Sequence, residues 1–282
     1  MSDRSPEYAA RHPSQEKSTG LAEGPLARKR VLITRAREQA EGLTRLLREA
    51  GAVPIALPAI RIEPPESWDP FDQSIVRLHE YDWVIFTSAN GVEAVVARLT
   101  HLGVAMDGLR GKKVAAIGPA TARALEQQGI HADFIPSEYV AEAVAQGMES
   151  FGMREARLLL PRAAEARDVL VQLLAGMGAR VDEVPVYRTV HEAGSVREIE
   201  ELLRTGQIDA VTFASSSAVR SLCSAFQKLT SPHRGPTVVC IGPVTAATAT
   251  ELGIRVDIVA KEYTTPGLVR ALEDYFRQEL EG

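Results

Sequence analysis

Short apolar runs alternate with stretches of helical spacing along nearly the whole chain. Val31-Leu32-Ile33-Thr34 reads as a short buried strand, and Leu43, Leu46 and Leu47 then recur at helical spacing within residues 38–50. Gly51 is expected to stop that helix in the left-handed conformation. Residues 53–57 predict the next strand and 58–62 an extended exit from it. A Pro-rich loop and a short amphipathic helix over 71–78 follow. Trp83-Val84-Ile85-Phe86 is continuously apolar, as a strand covered on both faces should be. The same logic predicts a helix over 92–99, a strand over 114–117, a helix over 121–128 ended by Gly129, a strand over 131–135 and a helix over 139–148.

From Arg157 the pattern begins again. Leu158-Leu159-Leu160-Pro161-Arg162 aligns with Leu32-Ile33-Thr34-Arg35 at an offset of 127 residues (162 − 35). A helix is expected over 164–174, ended by Gly176–Gly178, and Gly178 stands at the same offset from Gly51. Pro185-Val186-Tyr187-Arg188 aligns with Pro58-Ala59-Ile60-Arg61, and Asp209–Phe213 with Asp82–Phe86. Ile117–Asp133 is then rewritten as Ile241–Asp257 at an offset of 124 (241 − 117), which Tyr139 and Tyr263 keep. Repeated matches at one offset identify two copies of one α/β unit, an internal duplication.

Composition narrows the class. The 282 residues are 45% apolar, enough for one large core or two ordinary ones. No apolar run approaches the ~20 residues of a membrane span, and the N-terminus lacks a signal-peptide core, so a soluble cytoplasmic protein is expected. Residues 1–27, polar and rich in Ser, Pro and Gly, read as a disordered tail. Cys223 and Cys240 lie in different elements and are expected as small hydrophobes, not a disulfide. Six scattered histidines make no metal cluster, so no metal is expected. A net charge of −5 without a basic block argues against nucleic acid.

In an open parallel sheet, ligands bind beyond the carboxyl ends of the strands. The turns expected there are Thr34-Arg35, Ser88 to Gly91 with Asn90, the only asparagine, and Gly118 to Thr121. Their counterparts are Pro161-Arg162, Ser215-Ser216-Ser217 and Gly242 to Thr245. Helix starts of this kind offer free N–H groups and a positive dipole end to phosphate or carboxylate. Ser, Thr, Asn and Gly are also ordinary helix caps, so one such turn alone says little. Asn90 before Gly91 suits a cap or a positive φ. Tyr187 lies in an extended segment whose counterpart has Ile60. It is either packing or a hydroxyl reaching the cleft as a proton donor.

The motifs VLITR (31–35), FTSANGVEA (86–94), AIGPATARAL (116–125), PVYRT (185–189) and IGPVTA (241–246) together resemble the uroporphyrinogen-III synthase family. The resemblance covers about residues 28 to 275. It implies two flavodoxin-like, three-layer parallel-sheet domains joined by a two-stranded link. The lobes implied are 28–58 plus 190–282 and 63–184, with 58–62 and 185–189 as connector strands. The implied reaction closes hydroxymethylbilane to uroporphyrinogen III with inversion of ring D and without a cofactor, in a monomer with at most transient contact to the preceding pathway enzyme. The resemblance places Tyr187 as the residue assisting hydroxyl loss. It makes Thr121, Thr245 and Arg35 substrate contacts, with Ser88, Ser215, Ser216 and Ser217 mainly as backbone donors; Arg162 follows only through the internal repeat, and Asn90, Gly91, Gly118 and Gly242 from the turns themselves. Two other readings remain open from the residues: a non-catalytic two-lobed binding or sensor protein, and a domain of a larger tetrapyrrole enzyme.

Overall fold

In a computed structural model that describes residues 24–227 and 235–281, the apolar runs become strands and the periodic stretches helices. The first part of the chain forms β1 (Arg30–Ile33), α1 (Arg37–Glu49), β2 (Val53–Ala56) and β3 (Ile60–Glu63). Next come α2 (Asp69–Val76), β4 (Trp83–Phe86), α3 (Ala89–Leu102), α4 (Asp107–Arg110), β5 (Lys113–Ala116), α5 (Pro119–Glu126) and α6 (Ala141–Glu149). Then follow β6 (Arg157–Ala163), α7 (Val169–Gly176), β7 (Arg180–His191), α8 (Ala193–Arg204), β8 (Ala210–Phe213) and α9 (Ser216–Gln227). The chain closes with β9 (Thr237–Cys240), α10 (Pro243–Glu251), β10 (Ile258–Val259) and α11 (Thr265–Glu281).

Two five-stranded sheets result. One has the order β10-β9-β8-β1-β2, with every neighbouring pair parallel. The other has the order β3-β7-β6-β4-β5, parallel except where β3 runs antiparallel to β7. Each sheet is buried on both faces, because alternate residues of its strands face different helices. Leu32 packs among α8, α9 and α10 residues such as Ile199, Leu222 and Ala249. Its neighbours Val31 and Ile33 pack on the opposite side, with Leu43 of α1 and Leu272 of α11. In the other sheet Val84 and Phe86 meet Val95 and Leu125, while Trp83 and Ile85 meet Val144 and Leu174. No helix among the described residues is long and apolar enough to cross a membrane.

The two sheets also close alike in detail. Arg28 N donates to Gly51 O at 3.0 Å, and Glu155 N to Gly178 O at 2.8 Å. Arg28 and Glu155 share a φ of 62°, an uncommon value for non-glycine residues. Val114 N donates to the Asp133 carboxylate at 2.7 Å, and Val238 N to that of Asp257 at 2.8 Å. Gly51, Gly129 and Gly178 have φ of 84°, 69° and 87°, the left-handed helix stops expected of them.

Four expectations need correction. The strand predicted over 131–135 reduces to one bridge between Phe134 and Ala115. The Asp133 carboxylate occupies the Val114 N–H that a longer strand would have paired, and Pro136 has no N–H to offer. The helix predicted over 164–174 begins only at Val169, because the Arg162 guanidinium draws in the carbonyls of Ala166 and Arg167. The crossing strands pair later than 58–62 and 185–189: Ile60–Glu63 lies against Arg188–His191. β7 passes through Pro185 unbroken, since at that point only β6 flanks it and the missing N–H faces no partner. Finally, the end of the tail predicted over 1–27 is ordered. Residues 1–23 lie outside the described residues, but 24–27 form a turn that buries Leu26 completely beside Leu43 and Leu47.

Cys240, at the end of β9, is fully buried, and burial pushes its thiol up to about 12 from an ordinary 9.0. The folded state therefore disfavours the thiolate. Its stability is unaffected below pH 9 and is lost as pH rises from there toward 12, where the unfolded thiol ionises first. Urea midpoints from pH 9 to 11 should fall more steeply for the wild type than for Cys240→Ala. Equal slopes would show that the thiol does not titrate on unfolding.

Candidate active site

The carboxyl ends of both sheets face one cavity of about 670 Å³. Thr87, Ile117, Ala214 and Ile241 enter its wall directly after β4, β5, β8 and β9. The rest of the wall comes from the Gly118–Thr121 and Gly242–Thr245 turns, from Tyr139 to Glu142, from Tyr263, and from Arg162 and Arg167 with their neighbours. A ligand there would touch strand ends of both sheets, the position expected for open parallel sheets.

The two Gly-Pro turns are built alike. Gly118 (φ −172°, ψ 178°) and Gly242 (φ −173°, ψ 176°) cap α5 and α10 in fully extended backbone, which any residue adopts. Glycine is needed for space instead. A Cβ on Gly118 would lie 3.1 Å from the Tyr139 ring, and one on Gly242 would lie 3.3 Å from the Tyr263 ring. Pro occupies the first helical position in each, where its missing N–H costs nothing. Neither helix has a side-chain cap, and neither does α6, whose cap residue is Val140. Three helix starts thus bring uncapped N–H groups to the cavity wall. Thr121 and Thr245 are 3% and 6% exposed there, and neither hydroxyl has a hydrogen-bond partner among the described residues.

The serine hydroxyls are engaged within their own surroundings. Ser88 caps its own helix, with its Oγ accepting from Gly91 N at 3.0 Å. Ser215 Oγ accepts from Ala218 N at 3.3 Å, and Ser216 Oγ shares a proton with Thr248 Oγ1 at 2.8 Å. These hydroxyls are spent locally, and Ser217 is half-buried beside them in α9. Gly91 gives α3 room to approach β6, since a Cβ there would lie 3.3 Å from Pro161 O. Asn90 is neither a cap nor a positive-φ residue. It is the second residue of α3, and its Oδ1 accepts from Gln39 Nε2 of α1, a bond between elements of the two sheets.

The two arginines at matching positions also diverge. Arg162 is 3% exposed, and its Nη atoms meet Ala166 O at 2.8 Å, Arg167 O at 3.0 Å, Asp168 at 2.9 Å and Glu183 at 3.1 Å. Its Nε has no partner. Although Arg162 lines the cavity, its guanidinium mainly stakes down the 163–168 loop. Arg35 is less buried and donates to Thr265 Oγ1 at 3.1 Å. Burial holds its guanidinium below the ordinary arginine range, and Glu93 of α3 opposes that shift.

Tyr187 is 8% exposed, and its hydroxyl lies 3.0 Å from Ser88 Oγ. It packs with Phe86 and Val92, beside the cavity and outside its wall. Burial raises its phenol above the ordinary range, the Ser88 hydrogen bond opposes this, and Glu165 adds to it. The phenol therefore stays protonated at neutral pH.

Of the residues singled out in the sequence, the cavity brings together Gly118, Thr121, Arg162, Gly242 and Thr245. Arg35, Ser88, Asn90, Gly91, Tyr187 and Ser215 to Ser217 lie in neighbouring turns, helix starts and β7 and do not form its wall. Sequence reasoning missed Tyr139, Tyr263 and Arg167. The shared offset of the two tyrosines was a usable signal, and Arg167 carried none. Glu142, Arg162 and Arg167 are the charged residues of the wall, and Arg167 is the exposed cation with no acidic partner among the described residues. No group of three or more His, Cys, Asp or Glu comes together among those residues.

The family model described as uroporphyrinogen-III synthase HemD matches residues 41–270. A uroporphyrinogen-III synthase of Synechococcus elongatus is 36% identical over 266 residues, spanning 92% of this chain and 99% of its own. A porphyrin biosynthesis protein HemD of Ruminiclostridium josui is 29% identical, and the match spans 91% of this chain but 50% of that one. In fold, a uroporphyrinogen III synthase of Thermus thermophilus is similar with a TM-score of 0.66 at 20% identity, covering 89% of this chain and 99% of that one. A family match over most of the chain and a relative sharing a third of its residues end to end agree: the chain belongs to the uroporphyrinogen-III synthase family.

Proposed function

We propose that this chain is a cofactor-independent lyase that closes hydroxymethylbilane to uroporphyrinogen III with inversion of ring D. The observation that carries the reading is the cavity between two sheets, walled by three uncapped helix N-termini. The substrate is a flexible polycarboxylate, and such helix starts hold carboxylates without spending lysines. The chemistry asks little else. The pyrrole nitrogen pushes electrons toward the hydroxymethyl carbon, the C–O bond breaks, and the departing hydroxide leaves as water with the proton that the pyrrole N–H gives up, leaving a neutral azafulvene. The azafulvene is attacked by ring D at its substituted position, and the spiro intermediate then reopens and recloses with ring D turned over. Spontaneous closure gives the uninverted isomer I, so the enzyme's task is to hold the bilane folded.

The reading includes two flavodoxin-like units that arose by internal duplication. Supporting it, β2-β1-β8-β9-β10 and β7-β6-β4-β5-Phe134 follow one spatial order, that of a 2-1-3-4-5 sheet. The paired Arg28 and Glu155 conformations and the Asp133 and Asp257 bonds add to it. Each unit lends its opening βαβ to the other's sheet, so the lobes run approximately over 28–58 with 190–282 and over 63–184.

Incubated with hydroxymethylbilane, the protein should yield isomer III. Formation of isomer I alone, at the spontaneous rate, would sink the proposal. Within it, Arg167 grips a substrate carboxylate from the loop that Arg162 stakes. Arg167→Gln should raise KM about 5- to 20-fold with kcat nearly kept, the pattern of lost uniform binding. An unchanged KM would place the carboxylates elsewhere. Tyr187, held to Ser88, assists hydroxyl loss only indirectly. Tyr187→Phe should slow turnover about 3- to 30-fold, less than the 10²-fold or more expected on losing a true general acid. A larger loss would put the phenol in direct contact with the leaving oxygen.

A further inference from the structure

Tyr139 and Tyr263 meet edge to face, with ring centroids 5.6 Å apart and planes at 90°. They come from different sheets: Tyr139 lies between the Phe134 bridge and α6, and Tyr263 between β10 and α11. Both line the cavity, and each ring stands on the glycine of its own Gly-Pro turn, where a Cβ would approach it to 3.1 or 3.3 Å. The pair therefore joins the two uncapped helix starts through one aromatic contact. A second contact between the lobes, Gln39 to Asn90, lies at the α1–α3 rim.

We infer that Tyr139 and Tyr263 are a latch that holds the lobes closed over the bilane and so sets the isomer ratio of the product. The inference rests on the proposed reaction. A bilane freed before ring D has turned over closes spontaneously to isomer I, so the time the lobes stay shut decides how much escapes uninverted. An edge-to-face pair shifts a closed-to-open ratio about 2- to 10-fold. That is enough to alter isomer ratio without abolishing turnover. The tyrosines position the lobes and are given no chemical step.

The test compares Tyr139→Leu, Tyr263→Leu, the double variant, and Tyr139→Phe and Tyr263→Phe. Product isomers would be resolved after reaction with hydroxymethylbilane, and the radius of gyration of the free protein measured by small-angle scattering. The expected result is an enlarged radius and a share of isomer I raised about 2- to 10-fold in each Leu variant. The double variant should be no worse than either single, and the Phe variants, which keep the ring contact, should match wild type. Folded Leu variants with unchanged radius and isomer ratio would overturn the latch, as would Phe variants as impaired as Leu. Should a Leu variant fail to fold, Gly118→Ala, which keeps both rings but displaces Tyr139, should give the same two shifts, and a wild-type radius and ratio there would overturn it. If the wild type itself makes only isomer I, the reaction proposal fails while the scattering comparison still judges the latch.

Discussion

Gly242→Val should cut conversion of hydroxymethylbilane to uroporphyrinogen III about 100-fold while leaving the fold largely intact. The backbone at Gly242 is extended, so valine meets no conformational penalty and trims the freedom of the unfolded chain. Its branches would instead press on the Tyr263 ring, which a Cβ alone approaches to 3.3 Å, and cover the bare start of α10. A displacement of about 1 Å in a positioning site is worth on the order of 10²-fold in rate. Gly118→Val, with the same geometry against Tyr139, should lose a comparable amount. Steady-state kcat/KM beside a urea midpoint separates the effects. Full activity in either valine variant would show that the helix start does not grip the substrate.

Arg162→Met should produce the largest loss of stability among the site residues, about 2–3 kcal/mol, because it removes the partner of two carbonyls and two carboxylates from a nearly sealed position. The figure sits below the usual cost of breaking a buried pair because Asp168 and Glu183 keep 66% and 35% exposure and stay hydrated. Arg162→Lys should rescue little, since an ammonium cannot span acceptors that the planar fork reaches at once. Loss of the stake would also loosen the loop bearing Arg167 and raise KM in parallel. Urea unfolding of the three proteins decides it. A Met variant as stable as wild type would make Arg162 a substrate ligand and not a stake.

Much of the fold could be read from local pattern. Trp83–Phe86 declared a doubly covered strand because four consecutive apolar residues cannot all face one side of a sheet. Gly51, Gly129 and Gly178 marked helix ends because each ends an apolar period in a conformation that side chains avoid. The readings that failed did so where a side chain took a backbone partner that periodicity does not show. Asp133 took the donor that a strand over 131–135 required, and Arg162 held open the turn before α7.

In the site, residue type pointed to the Gly-Pro turns that line the cavity and to serine turns whose backbone was expected to serve the ligand. A serine at a helix start looks the same whether it serves a ligand or caps its own helix, and Ser88 and Ser215 are occupied locally. Glycine at 118 and 242 has a reason that no local pattern shows, the tyrosine ring packed on each.

Periodicity thus carried the α/β class, because it depends on residues within a few positions of one another, and the motifs in their order along the chain carried the family. Which turns face a common cavity, which arginine is free and which tyrosines touch came only from long-range contacts. Tyr139 and Tyr263 are related in the sequence by nothing but an offset. Their ring contact exists because two separate sheets set the carboxyl ends of their strands toward each other.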